Sequence, residues 1–94
     1  IKKVILIDNK DNVVTALVNI NKGENVEADN LKTNAKGNIK FGHKLAIRNI
    51  KKGDYVYKYG EIIGRAKKDI DAGEHVHIHN TEDVVDVLRK EHEK

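Results

Sequence analysis

The chain has no cysteine, proline, methionine, tryptophan or serine in its 94 residues. Without cysteine there is neither a disulfide framework nor a thiolate metal site, which fits a reducing compartment. With serine missing as well, the usual acyl-transfer nucleophiles are excluded. Aromatic residues are scarce, Phe41 and three tyrosines amounting to 4%. No apolar run approaches the roughly 20 residues that span a bilayer. The opening Ile1-Lys2-Lys3-Val4-Ile5-Leu6-Ile7-Asp8 is too short for a secretory hydrophobic region with its cleavage site. A cytoplasmic location is therefore expected. The missing methionine is expected to mean that the initiator was removed or that the chain starts inside a longer reading frame. Charge of one sign is not concentrated either: 18 Lys and Arg are interleaved with 15 Asp and Glu, for a net charge of +3. Nucleic-acid surfaces gather basic residues into a patch or stripe, so neither nucleic acid nor membrane is the expected partner. A mildly basic surface that attracts a small anion is.

What is present is β-branched and charged. Hydrophobic residues make up 38% and charged ones 35%, the balance of a folded domain, and Val and Ile favour strands. A chain of this size buries roughly two-thirds of its unfolded surface. One domain over 1–94 is expected, too small for two cores and with little room for a private active site.

One local pattern recurs. Ile20-Asn21-Lys22-Gly23-Glu24-Asn25-Val26 matches Ile50-Lys51-Lys52-Gly53-Asp54-Tyr55-Val56 and Ile70-Asp71-Ala72-Gly73-Glu74-His75-Val76. In each, Ile closes an extended segment, two polar residues turn the chain, and Gly supplies the positive φ that other residues reach only at a cost. An exposed acid follows, and Val opens the next buried segment. The spacings of 30 and 20 residues rule out a fixed-period solenoid, leaving one corner used three times.

Strands are expected at Val4 to Ile7, Asn12 to Val18, Lys44 to Arg48, and as a hairpin over Tyr55 to Tyr59 and Glu61 to Ala66. Asn34 to Asn38 reads as a polar loop, from which Lys40-Phe41-Gly42-His43 leads out. A helix is expected over Glu82 to Glu91, capped by Asn80-Thr81, with Val84, Val87 and Leu88 at helical spacing.

Three groups of residues could carry chemistry. If His75-Val76-His77-Ile78-His79 is a strand, alternation puts the histidines on one face and Val76 and Ile78 in the core. Two neighbouring imidazoles could then hold a divalent metal with help from another segment; a solvated strand face is the plainer reading. In Gly42-His43-Lys44, glycine permits close backbone approach, His43 exchanges protons near neutrality, and Lys44 can meet a carboxylate as a point charge. Two exposed polar side chains at a loop end account for it as well. In Lys58-Tyr59-Gly60, the tyrosines 55, 57 and 59 share a face and read as packing, Gly60 is the turn residue, and Gly64 marks a bulge or a close backbone contact.

Taken in order, these segments resemble one family. The series is Asp11-Asn12-Val13-Val14-Thr15-Ala16-Leu17, Ile20-x-x-Gly23, Gly42-His43-Lys44-x-Ala46, Ile50-x-x-Gly53-x-x-Val56-x-Lys58-Tyr59-Gly60-x-x-Ile63-Gly64-x-Ala66, and Ile70-x-x-Gly73-Glu74-x-Val76-His77-x-His79-Asn80. It resembles the SAF domain of altronate and galactarate dehydratases and the small subunit of sulfolactate sulfo-lyase. The match covers the core from Asp11 to Asn80; Thr81 to Lys94 matches no family motif and is read as a C-terminal helix and tail.

The resemblance implies a mainly β, β-clip fold with bent hairpins and a short C-terminal helix. It implies a small subunit or N-terminal domain of a lyase that eliminates water, or sulfite, from a sugar acid or 2-hydroxy acid. Most of the machinery would lie in a large dehydratase subunit or domain, with a divalent metal, iron(II), shared between them. The positions carried over are His43 and His77 as catalytic groups and Lys44, Lys58, Tyr59, Gly60 and Asn80 toward substrate. His77 and His79 are carried over toward the metal. Related domains also resemble parts of periplasmic chaperones and sialic acid synthases, so the alternative is a non-catalytic carbohydrate- or protein-binding module. Exposed strand edges leave self-association open as well.

Overall fold

The structure, a computed structural model, describes residues 2–92. It is mainly β, with one short C-terminal helix. In chain order the strands are β1 (Val4–Ile5), β2 (Val13–Ala16), β3 (Asn25–Ala28), β4 (Leu31–Asn34), β5 (Lys44–Ala46), β6 (Tyr55–Lys58), β7 (Glu61–Ala66), β8 (His75–Val76) and β9 (Thr81–Asp83). The helix α1 (Val84–His92) ends the described chain.

The scaffold is a four-stranded antiparallel sheet in the order β1-β2-β5-β8. Strand alternation sends neighbouring side chains to opposite faces, and here both faces are covered. Val14 pairs with Leu45 and packs with Ile20, Val26 and Ile39 on one face. Val13 pairs with Ala46 and packs with Ile50, Val56, Ile70 and Val76 on the other. The β3–β4 hairpin closes over the first cluster and the β6–β7 hairpin over the second. The expectation of a single core is thus corrected. A thin central sheet lets 94 residues build two small clusters back to back.

Each corner is fixed the same way. Gly23, Gly53 and Gly73 have φ of +90°, +91° and +96°, and a turn bond closes each, as in Asp54 N donating to Lys51 O at 2.9 Å. A fourth corner, Ile39-Lys40-Phe41-Gly42-His43-Lys44-Leu45, belongs to the set: Gly42 has φ +85° and His43 N donates to Lys40 O at 2.9 Å. Gly42 is therefore a corner residue, where the sequence suggested only a permissive loop. His43 hid it by standing at the acidic position.

The corners pair. Ile20 bridges Ile39, and Ile50 bridges Ile70. The residue before each Ile is Asn or Asp, and its side-chain oxygen accepts a backbone N–H from the opposite corner. Asn19 Oδ1 takes Phe41 N, Asn38 Oδ1 takes Lys22 N, Asn49 Oδ1 takes Ala72 N and Asp69 Oδ1 takes Lys52 N, each at 2.8 Å.

Several boundaries differ from the sequence-based expectation. The β3–β4 hairpin was not expected, because only Val26 and Ala28 of its strands are buried and Glu27, Lys32 and Asn34 face solvent. Thr81–Asp83 is a strand against β7, so Asp83 caps the helix by accepting Val85 N at 2.7 Å. Val87 is buried while Leu88 is exposed. Gly64 is the close contact expected: a Cβ there would lie 2.2 Å from Glu82 O.

Candidate functional site

Two corners deliver the histidines. The Gly42 corner ends in His43 and the Gly73 corner in His75, and β5 pairs with β8 with Lys44 opposite Val76 and Leu45 opposite His75. His43 Nδ1 consequently lies 3.2 Å from His75 Nε2. The ring centroids of His43 and His75 are 5.2 Å apart, those of His75 and His77 5.6 Å, and those of His75 and His79 5.8 Å. His43 and His77 stack at 6.3 Å. His43 and His77, expected to share a face, do so, and His75 is the hub between them.

The histidines do not meet as a strand face. Only His75 and Val76 are in the strand; from His77 the chain turns, and Ile78, expected in the core, is 72% exposed. Asn80 causes the turn. It is fully buried, its Oδ1 accepts His77 N at 3.0 Å, and its Nδ2 donates to His75 O at 2.8 Å. Asn80, expected to touch substrate, thus has its amide committed to the chain's own backbone, and its work is to aim His77 and His79.

Electrostatics follow from crowding. His75 is held below the ordinary imidazole range, first by burial and then by the positive charge His43, His77, His79 and Lys44 can carry. Lys44 is lowered from the usual lysine range by burial, with Lys58 second. Neither lysine is in a salt bridge among the described residues. Thr15, the cross-strand partner of Lys44, keeps a buried hydroxyl with no hydrogen-bond partner among the described residues.

Two grooves meet at Lys44 and His77. One, of about 140 Å³, is lined by Gly42, His43, Lys44, His75 and His77. The other, of about 300 Å³, adds Lys58, Ile63, Ile78, Thr81 and Asp83. Both are open, and the larger is at the low end for a small-molecule site, so the chain forms one wall and not an enclosure. A further cleft of about 280 Å³ between Glu82, Asp86, Arg89 and Lys90 is occupied by ion pairs among those residues.

Tyr59 and Gly60 form the β6–β7 turn, with φ of +56° and +76°, as a two-residue hairpin turn requires. Tyr55 and Tyr57 keep the expected shared face, their rings edge-to-face at 6.4 Å, whereas Tyr59 lies in the turn beyond β6. Tyr59 is 51% exposed with Lys58 Nζ 4.8 Å above its ring centre. Gly60 N donates to buried Asp11 at 2.8 Å, and Asn12 takes Tyr57 N at 2.8 Å and donates to Tyr55 O at 3.0 Å. Those three bonds hold the Lys58 wall against the sheet. Asp11 and Asn12 carried no site signal in the sequence beyond their place in the motif.

Among the described residues no three His, Cys, Asp or Glu can hold one metal ion together. The chain offers two imidazole nitrogens at close range, so an ion here needs further ligands from outside it.

A model of the altronate/galactarate dehydratase SAF domain matches residues 2–84. The chain belongs to this SAF-domain family. It is 48% identical over 80 residues to an altronate dehydratase of Bacillus subtilis, covering 85% of this chain but 16% of that enzyme. It is 46% identical over 71 residues to the altronate dehydratase of Escherichia coli, covering 76% of this chain and 14% of the enzyme. A third relative is the (2R)-sulfolactate sulfo-lyase subunit alpha of Paracoccus pantotrophus, 46% identical over 57 residues, which are 58% of this chain and 85% of that subunit. The SAF domain therefore spans about one-sixth of the altronate dehydratases it matches. Its relatives are lyases, as a domain of a larger enzyme in two cases and as a subunit in the third.

Proposed function

We propose that this SAF domain acts in the cytoplasm as the small subunit or N-terminal domain of a hydro-lyase of the altronate/galactarate dehydratase type. It supplies one wall of the site at which a sugar acid loses water. The observation that carries this is the convergence of Lys44 and Lys58 on a groove that also receives His77 and adjoins His43. Two lysines that repel each other in a half-buried position are relieved by an anion, and a substrate carboxylate is one.

The chemistry fits these groups. Elimination removes a proton from the carbon beside the carboxylate, breaks the neighbouring C–O bond, and releases water once the leaving hydroxyl has gained a proton. Negative charge builds on the carboxylate oxygens in the transition state, where Lys44 and Lys58 stabilise it. His43 or His77 moves a proton at the groove edge, a role that needs hydrogen-bond reach to the substrate and a pKa near the working pH. Tyr59 and Gly60 shape the rim beside Lys58. A divalent metal, iron(II) on the family resemblance, would be held in part by the histidines, with its remaining ligands from the large part; bound there it would supply Lewis-acid polarisation. The open grooves leave the isolated domain without turnover.

The test is an assay of the domain alone and mixed with its large dehydratase partner, on altronate, galactarate and sulfolactate. Activity appearing only in the mixture is expected. Carbohydrate binding without turnover in either sample contradicts the reading and favours a non-catalytic binding module.

A further inference from the structure

The His43–His75 contact has a geometry that a hydrogen bond alone does not require. We propose that His43 Nδ1 and His75 Nε2 are a two-imidazole chelate for one divalent cation of the imidazole-preferring class, such as zinc or iron(II), in place of the His77–His79 pair that the motif suggested.

The distances carry the inference. Two nitrogens each 2.0–2.1 Å from one tetrahedral ion stand about 3.3 Å apart, and these two stand 3.2 Å apart. An imidazole centroid lies roughly 1.1 Å behind its ligating nitrogen, so two such rings on one tetrahedral ion have centroids about 5.2 Å apart. The observed separation is 5.2 Å. Two rings pointing straight at each other across the same gap would stand farther apart, at about 5.5 Å by the same ring dimension, as a linear hydrogen bond prefers.

The two ligands are also prepositioned. Neither sits on a free loop. Gly42 N donates to Ala16 O and Ala16 N to His43 O, both at 2.8 Å; Gly73 N donates to Ala46 O at 2.7 Å and Ala46 N to Glu74 O at 2.9 Å. The Gly42 and Gly73 corners are therefore both stitched to the central sheet at or within two residues of their histidines, and ligand sites on rigid elements lose little freedom on binding. His77 and His79 lie beyond the strand, on the turn shaped by Asn80.

The ion's chemical class follows from the donors. Neutral imidazole suits zinc, copper, iron and nickel, whereas magnesium and calcium want oxygen. No carboxylate belongs to the His43 groove. His43 is exposed and His75 half-buried, so the ion's open positions face outward, where water or the large partner completes them.

This inference deepens the proposed site, but its test involves no substrate. Failure of metal binding leaves the carboxylate reading standing, and the reverse holds. The isotope-labelled chain is titrated with zinc chloride while imidazole nitrogen resonances are followed by NMR, with magnesium chloride as control. One equivalent of zinc is expected to shift Nδ1 of His43 and Nε2 of His75, and magnesium to shift neither. His43→Ala and His75→Ala should each weaken zinc by more than the roughly 10–100-fold brought by loss of an outer-shell partner, and His79→Ala should not. His43 is on the surface, so its variant keeps the test valid if His75→Ala loosens β8. The proposal is overturned if zinc does not bind, if it shifts only His77 and His79, or if His43→Ala binds it unchanged.

Discussion

Asn49 Oδ1 accepts the backbone N–H of Ala72 at 2.8 Å, tying the Gly53 corner to the Gly73 corner across the Ile50–Ile70 bridge. The same clamp joins the Gly23 corner to the Gly42 corner through Asn19 and Phe41. Asn49→Ala leaves the Ala72 N–H without its partner and should cost about 1–2 kcal/mol, read as a shift in the denaturant midpoint with unchanged slope. Asn19→Ala should cost a similar amount, because the geometry is the same. A loss near zero in both would mean that the corners hold without their clamps.

Asn80→Ala removes acceptor and donor together from a buried turn. It should cost about 2–4 kcal/mol and move the ring resonances of His77 and His79, which the turn aims. Asn80→Asp keeps the acceptor for His77 N but sets a carboxylate oxygen against His75 O, so it should not rescue. Thermal melts and NMR spectra of the two variants check this.

Gly64→Ala drives a Cβ into Glu82 O and should cost about 1–3 kcal/mol while loosening β9 and α1 from β7. Gly37→Ala meets nothing within 4 Å and is the matched control, expected to be near neutral. Thr15→Val removes a buried hydroxyl without a hydrogen-bond partner among the described residues and should be neutral or stabilising by up to about 1 kcal/mol. Melting temperatures of the three variants order them directly.

Helix docking should weaken in acid. Glu82 is held below the usual carboxylate range by the Lys90 side chain first, with Arg65 adding to it. A carboxylate whose folded pKa is depressed contributes stability that is complete above its unfolded value and is lost as pH falls through the folded one. The helix signal in circular dichroism should therefore decline below about pH 4, and Glu82→Gln should flatten that dependence. Because the pair is close to solvent, the effect is small and shrinks in salt.

Much of this was legible in the sequence, for physical reasons. Glycine with positive φ after two polar residues announces a corner, and the three with an acid at the next position were found. The corner at Gly42 was missed because His43 fills that position, and with it the reason His43 meets His75. The β3–β4 hairpin escaped because few of its side chains are buried. The face of His75, His77 and His79 was read from alternation that stops at Val76, where Asn80 turns the chain. Long-range pairing of β5 with β8 has no local signature, and it is that pairing which assembles the site.

The proposed function has the Lys44 groove bind the carboxylate of a substrate turned over in a larger lyase. It is tested most directly by steady-state kinetics of the assembled enzyme carrying Lys44→Ala, with Lys44→Arg beside it. Loss of a charged contact that strengthens in the transition state should lower kcat/KM by about 100-fold, with partial recovery in Lys44→Arg. Wild-type kcat and KM in the Lys44→Ala enzyme would rule out carboxylate binding by this groove.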